Sequence, residues 1–254
     1  MTPLEWAGMA AASFAAALLQ GTTGFGFAVL ATPLFLRFIP AAAAVQLTII
    51  VTLALSAVVL PGLRRTLDRG LLLRLIAGAF LGLPLGMLAF RFANAASVRA
   101  AAGATILSFT ALLAWRQAVA APSTARRFTM TPARDVAAGA VSGALTALLG
   151  MSGPPVLIYM LLAAVPPQAV RTTLLHFFAV AYAVTLLAHV ATVGVPFRTW
   201  LTALLLLPPA FIGGLAGRRL NARLGGNVFV WIALVTLAVV GVGTLADAAR
   251  AIVN

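Results

Sequence analysis

The sequence predicts an all-α polytopic membrane protein made of two homologous repeats, each a broken helix or hairpin followed by three transmembrane helices. The chain of 254 residues is 63% hydrophobic and 8% charged, whereas soluble domains are about half apolar and a quarter charged. Two long apolar blocks, one in each half, are interrupted by glycine or proline near the depth of a bilayer centre. The same order of elements therefore occurs twice.

The first repeat, residues 1–119, opens with an apolar block at residues 4–38 that is interrupted at 21–26. A straight helix of that length would measure roughly 50 Å, against about 30 Å for the hydrocarbon core of a bilayer. The block must therefore bend or double back. Three spans are then predicted, at residues 42–60, 71–90 and 100–115, with a basic loop containing Arg64 and Arg65 after the first.

A polar stretch at residues 120–133 is predicted to link the halves, and the second repeat, residues 134–254, follows the same plan. Its apolar block, residues 136–164, is broken at 150–155. Three further spans are predicted at residues 172–193, 200–217 and 228–246.

Two glycine patterns connect the halves. The pair Gly21 and Gly24 corresponds to Gly150 and Gly153, displaced by 129 positions. The sequence from Ala79 to Gly86 likewise corresponds to that from Ala210 to Gly217, displaced by 131 positions. Because the two matches share their order and nearly their offset, we expect an internal duplication. The small residues at Gly82 and Gly86 also predict close approach of another helix.

The arginine count favours the hairpin form of the broken blocks. If each block crossed the membrane once, the two sides would hold ten and seven basic residues. If each block entered and returned as a hairpin, the two sides would hold twelve and five basic residues. This larger difference agrees better with the positive-inside rule. Each half would then cross three times, so the repeats would be inverted copies and both termini would face outward.

The remaining composition excludes several classes of protein. The net charge of +13 does not indicate nucleic-acid binding, because the arginines fall mainly between apolar runs, where they set topology beside anionic lipid. The chain has no cysteine, and its carboxylates, Glu5, Asp68, Asp135 and Asp247, lie near segment ends. No acidic pair or metal-ligand cluster results. We therefore predict no catalytic residue, no metal site, no cofactor and no enzymatic activity.

The two breaks are expected to bind a small anion. Pro154, directly after Gly153, suits the first turn of a new helix, with Ser152 as its cap, and Thr22 or Thr23 would cap the helix that resumes near residue 25. Two helix N-termini would then lie inside the membrane, each with free N–H groups and a partial positive charge. The alternative is a pair of packing kinks that bind no ligand.

The residues at these breaks resemble those of a known family. The segment Gln20-Gly-Thr-Thr-Gly-Phe-Gly-Phe-Ala, and the segment Gly143-Ala-Leu-Thr-Ala-Leu-Leu-Gly-Met-Ser-Gly-Pro-Pro-Val-Leu-Ile-Tyr, are similar to the two repeat motifs of the sulfite exporter TauE/SafE family of membrane permeases. The resemblance covers essentially the whole chain. It implies passage of sulfite, an organosulfonate such as sulfoacetate, or a related anion.

The predicted substrate-binding residues are those of the two breaks and three polar residues of later spans. Arg171 either anchors the end of a span or binds the anion. His176 either bonds a neighbouring helix or relays a proton, while Thr48 and Tyr182 either line the path or bond neighbouring helices. The full set is Gly21, Thr22, Thr23, Gly24, Phe25, Gly26, Gln46, Gly150, Met151, Ser152, Gly153, Pro154, Arg171 and His176.

We therefore expect a multi-pass transporter of the bacterial inner membrane that exports a small inorganic or organosulfonate anion. Its partners would be that anion and the lipid bilayer, and the oligomeric state, a homo-oligomer included, stays open. Two alternatives remain: an uptake permease for a sulfur-containing anion, and a membrane accessory protein that transports nothing.

Overall fold

The structure is a computed structural model that describes residues 2–59, 67–118, 129–223 and 226–253. These residues form helices and no strand. In chain order the helices are α1 (Pro3–Thr23), α2 (Phe27–Phe35), α3 (Ala41–Val59), α4 (Arg69–Phe92), α5 (Ala95–Ala118), α6 (Pro132–Leu149), α7 (Gly153–Leu162), α8 (Pro167–Thr192), α9 (Phe197–Arg223) and α10 (Gly226–Val253).

Six of the described helices are long and apolar enough to cross a membrane, namely α3, α4, α5, α8, α9 and α10. The short helices α2 and α7 have 9 and 10 residues. At a rise of about 1.5 Å per residue they cannot span a core of about 30 Å. The class predicted from composition, an all-α polytopic membrane protein, is confirmed.

Both broken blocks double back as hairpins. Near the open end of the first, a Cβ added to Gly8 on α1 would lie 2.7 Å from the ring of Phe38, just after α2. In the second, Tyr159 on α7 donates a hydrogen bond to the Asp135 carboxylate at the start of α6. The breaks therefore lie at the tips of the hairpins, with α1 and α6 as the long arms.

Glycines let the long arms pack closely against the opposite half of the chain. On α4, a Cβ at Gly78 or Gly82 would overlap the backbone carbonyl of Val136 or Ala140 on α6. On α9, a Cβ at Gly213 or Gly217 would overlap the backbone of α1. The close helix approach predicted for the glycines of α4 is confirmed, and their counterparts on α9 pack in the same way.

Helices that occupy the same place in the two halves run in opposite directions. Gln46 near the start of α3 bonds the Gly194 carbonyl just after α8, while Val58 near the end of α3 shares a cavity with Arg171 near the start of α8. Helices α5 and α10 are also antiparallel, since Gly103 meets Leu245 and Gly241 meets Leu107. This packing is what inverted copies would produce. The duplication itself stays a prediction.

One end of the bundle contains the starts of four helices, α4, α6, α8 and α10. The ends of α3, α5 and α9 lie at this same end. Phe90 near the end of α4 contacts His189 near the end of α8, with ring centroids 4.6 Å apart, so these two helices run in the same direction. Arg74 on α4 pairs with Asp135 on α6. We call this the arginine-rich end, because by sequence twelve of the seventeen basic residues belong to its helix ends and connections.

Several helices begin earlier than predicted. Helix α5 starts at Ala95 because the Asn94 side chain accepts a hydrogen bond from the Ser97 N–H at 2.7 Å, which caps the helix. Helix α6 starts at Pro132, inside the predicted linker, where Thr131 is the cap. Residues 120–128 of that linker, and Arg64 and Arg65 of the basic loop, lie outside the described residues.

Candidate functional site

The first break is made by two glycines with left-handed backbone conformations. Gly24 has φ +85° and ends α1, and Gly26 has φ +108° and precedes α2. L-residues with a side chain rarely adopt such values. The hydroxyls of Thr22 and Thr23 donate to the Leu19 carbonyl within α1, at 2.7 and 2.8 Å. Gly26 occupies the cap position of α2, and no side chain makes a capping hydrogen bond there, so the prediction that one of these threonines caps the next helix is wrong.

A cavity of about 60 Å³ lies beside this break, at the arginine-rich end. Its volume is several times the 10–15 Å³ or so that one water needs. Helices α1, α3, α8 and α9 form its walls, and neither α2 nor α7 contributes a residue. The lining residues are Ala17, Gln20, Gly21, Gly24, Leu55, Val58, Arg171, Leu175, Phe211, Gly214, Leu215 and Arg218.

Two arginines are among the residues that line this cavity. The Arg171 stem packs against Gly24 so closely that a Cβ there would lie 2.9 Å from Arg171 Cγ. The Nε of Arg171 is enclosed and has no hydrogen-bond partner among the described residues. Arg218 on α9 is exposed and lies at the mouth of the cavity. Arg171 therefore lines the cavity, and its role as an anion ligand stays a prediction.

No carboxylate of the described chain forms an ion pair with either arginine. Asp135 pairs with Arg74 and Asp247 with Arg37. Glu5 and Asp68 accept hydrogen bonds at the starts of α1 and α4. The cavity consequently carries two positive charges with no protein counter-charge.

The second break is closed by protein groups. The Tyr182 hydroxyl on α8 donates to the Gly150 carbonyl at 2.9 Å and accepts from the Ser152 N–H at 3.2 Å. Ser142 on α6 donates to the Ser152 carbonyl. The backbone groups freed by this break are therefore satisfied inside the protein, as membrane depth requires.

The start of α7 agrees with one prediction and contradicts another. Pro154 and Pro155 lie in its first turn, as predicted. Ser152 occupies the cap position, but its side chain makes no capping hydrogen bond. Its hydroxyl lies 3.3 Å from that of Ser142 instead. A serine near another buried hydroxyl satisfies its hydrogen bond there, so the helix start stays without a side-chain cap.

The two breaks contact different parts of α8. Gly24 meets Arg171, whereas Gly153 meets Phe178 and Gly150 meets Tyr182. Eleven residues separate Arg171 from Tyr182, which is about 16 Å along a helix. The structure therefore does not bring the breaks together as walls of one pocket, and the helix N-termini of α2 and α7 do not line the cavity.

Of the predicted binding residues, Gly21, Gly24 and Arg171 line the cavity. Phe25 packs edge-on against Phe109, with ring centroids 5.7 Å apart. His176 Nδ1 lies 2.8 Å from the Thr172 carbonyl within α8. Thr22, Thr23 and Gly26 lie at the first break. Gln46 lies at the end of α3 away from the cavity. The remaining predicted residues form the second break: Gly150, Met151, Ser152, Gly153 and Pro154.

Sequence reasoning misses Arg218 and Gln20 as lining residues. By sequence, Arg218 is only a topological charge between two spans. It directly follows Gly217, whose Cβ would overlap the Leu18 carbonyl of α1. The glycine pattern of α9 therefore indicates the position of Arg218. A helix that packs on α1 through Gly217 brings the next residue close to the first break.

The corresponding cavity of the other half is apolar and smaller, about 10 Å³. Phe80 and Leu83 of α4 line this smaller cavity. At the sequence offset of 131 positions they correspond to Phe211 and Gly214, which line the first cavity. At the same offset, Met87 is the residue of the first half that corresponds to Arg218. These two cavities of the predicted repeats therefore differ in chemistry. A further cavity at the opposite end of the bundle is lined by Arg37, Arg99 and Arg250 together with Asp247.

Comparison with protein families identifies residues 9–244 as a match to the family described as Sulfite exporter TauE/SafE. This range contains both breaks, the cavity and the two motifs that predict the family. Comparison with curated proteins and with solved structures gives no match.

Proposed function

This chain belongs to the sulfite exporter TauE/SafE family, and on that premise we propose that it exports a sulfur oxyanion from a site formed by Arg171 and Arg218. Family membership makes the chain a membrane transporter of sulfur-containing anions. The anion we favour is sulfite or a small organosulfonate, and the membrane is the bacterial inner membrane.

The two unpaired guanidinium groups carry this proposal. Arg171 Nε is enclosed without a protein partner, and Arg218 lies at the mouth of the same cavity. A guanidinium presents N–H groups in a planar fork that matches the oxygens of an oxyanion. An anion would reach Arg218 first and then Arg171, where Gly24 leaves room for the arginine stem.

The charge distribution supports export rather than uptake. The positive-inside rule assigns the arginine-rich end to the cytoplasm, and the cavity lies at that end. An anion would therefore be collected from the cytoplasm. A membrane potential that is negative inside favours its expulsion by about 2.3 kcal/mol per charge per 100 mV, so export needs no ATP.

Anion flux in liposomes with an imposed potential tests the proposal, with sulfite, sulfoacetate and chloride as substrates. Arg218→Gln should reduce sulfite flux at least about tenfold, since a charge-assisted hydrogen bond contributes about 1.5–3 kcal/mol. Arg219→Gln is the matched control, because the neighbouring arginine is also exposed and is not among the residues that line the cavity. Equal flux in the two variants would exclude the site.

One observation favours the alternative of a membrane accessory protein. The second break is closed by Tyr182 and Ser142, and Gly153 packs against Phe178. A chain that transports nothing would keep that closure permanently and would give no flux of any of the three anions. Flux that runs inward against an outward-directed driving potential would instead favour an uptake permease.

A further inference from the structure

A row of buried hydroxyls runs along α3 between the arginine cavity and the second break. Thr48, Thr52 and Ser56 are spaced four residues apart, so they share one face of the helix at intervals of about 6 Å. Each is at most 1% exposed. We call these three residues the hydroxyl track.

One end of the track lies at the cavity. Leu55 and Val58, which flank Ser56 on α3, both line the cavity that contains Arg171. The hydroxyl of Ser56 is completely buried and has no hydrogen-bond partner in the part of the chain that the structure describes. A buried donor without a partner is uncommon and unfavourable, and this one is next in sequence to Leu55, which lines the cavity.

The other end of the track lies at the second break. Thr32 on α2 donates to the Leu149 carbonyl at 3.1 Å and lies 3.2 Å from the Thr48 hydroxyl. The hydroxyls of Thr52 and Tyr182 lie near each other, and Tyr182 donates to the Gly150 carbonyl. Hydroxyls therefore continue from the cavity to the tip of the second hairpin, through a region otherwise built of apolar side chains.

These hydroxyls are able to change partner. Thr48 and Thr52 donate to the carbonyls of Ala44 and Thr48, four residues earlier, at 2.9 and 2.7 Å. A hydroxyl bonded in this way turns about a single bond to donate elsewhere. An anion moving past would thus meet a donor at each turn of α3, whereas an apolar face would leave it unsolvated.

We propose that the hydroxyl track is the route by which the dehydrated oxyanion passes from the arginine cavity to the second break. This inference rests on the proposed export function and assigns the second break a separate role. The break would be the far gate of the route, kept closed by Tyr182 in the state described, rather than a wall of the binding site.

Two substitutions test the route, measured as sulfite flux in liposomes. Ser56→Ala removes a hydroxyl that has no partner among the described residues, so a purely structural role predicts stability that is unchanged or higher, and unchanged flux. Thr52→Val removes the middle donor. Each should lower flux about tenfold, the effect of one lost hydrogen bond to an anion, while sulfite affinity, measured by calorimetry on the purified protein, stays unchanged because both arginines remain.

Matched controls separate the route from general effects on folding. Thr110→Val on α5 removes a buried hydroxyl that donates to the Ile106 carbonyl at 2.7 Å, the same geometry as Thr52, and should leave flux unchanged. Thr52→Ser keeps a hydroxyl and should retain most of the flux.

Wild-type flux in Ser56→Ala and Thr52→Val, or an equal loss in Thr110→Val, would overturn the route while leaving the arginine site intact. A loss in Arg218→Gln together with normal flux in the track variants would likewise exclude the route and keep the site. Absence of sulfite flux in the wild-type protein would end the proposed function, and the route with it.

Discussion

At the scale of single residues, Gly24 and Arg171 depend on each other. Gly24 has a left-handed backbone, and its missing side chain leaves the space that the Arg171 stem occupies. The glycine of the first break therefore does not need to touch the anion to be required for binding. It allows the chain to turn at the end of α1, and it lets a guanidinium lie against that turn.

Gly24→Ala should abolish most of the anion flux. The new Cβ would lie 2.9 Å from Arg171 Cγ and would displace the guanidinium. Gly194→Ala is the control, since Gly194 has φ +75° with nothing within 4 Å of an added Cβ. Both changes place alanine in the left-handed region, at a cost of about 1–2 kcal/mol, so both should lower the melting temperature in detergent similarly. Equal flux in the two variants would contradict the role given to Gly24.

The residue scale also shows where sequence reasoning succeeds and fails. The turn-forming glycines and the first-turn prolines of α7 were predictable, because backbone geometry restricts those positions to few residue types. The roles of Thr22, Thr23 and Ser152 were not. A hydroxyl can cap the next helix or bond a carbonyl of its own helix, and tertiary neighbours such as Ser142 decide between them.

At the scale of elements, a buried ion pair holds the second hairpin to the rest of the bundle. Asp135 on α6 is 1% exposed. It accepts a hydrogen bond from Arg74 Nε on α4 at 2.6 Å and another from Tyr159 on α7. One carboxylate thus joins three helices. The sequence places Asp135 near a segment end, but it does not identify the residues that bind its carboxylate, because they are 61 and 24 residues away in the chain.

Asp135→Asn should destabilise the protein strongly. Breaking a buried pair costs about 3–5 kcal/mol, and the loss should fall near the lower limit because the Arg74 side chain is 40% exposed. Asp247→Asn is the control, since its partner Arg37 is 55% exposed and such surface pairs contribute about 0–1 kcal/mol. Thermal unfolding in detergent measures both. Equal shifts in melting temperature would show that Asp135 does not hold the hairpin.

The helix pairs were easier to foresee than the site. Glycines spaced four apart on α4 and α9 indicate close helix contact from sequence alone, and the structure confirms the contacts. Which partner each helix takes is not encoded locally. Ser13 on α1 bonds the Leu206 carbonyl on α9, 193 residues away, and it is this pairing that brings Arg218 to the first break.

At the scale of the whole molecule, the two halves have similar frames and different chemistry. One cavity has two arginines, while its counterpart, lined by Phe80 and Leu83, is apolar. A symmetric carrier would present equivalent sites to both sides of the membrane. Because the Arg171 cavity and its apolar counterpart differ, the proposed direction of transport depends on which end of the bundle faces the cytoplasm.

Labelling of single cysteines would fix that direction, because the chain contains no native cysteine. Asn94, between α4 and α5, and Thr129, before α6, are both exposed and lie at opposite ends of the bundle. The arginine-rich end should remain inside, since positive charge resists translocation. A membrane-impermeant maleimide should therefore label Asn94→Cys in intact cells and Thr129→Cys only after permeabilisation. The reverse pattern would place the Arg171 cavity toward the outside, where it would collect anions for uptake, and the export proposal would fail even if sulfite flux were observed.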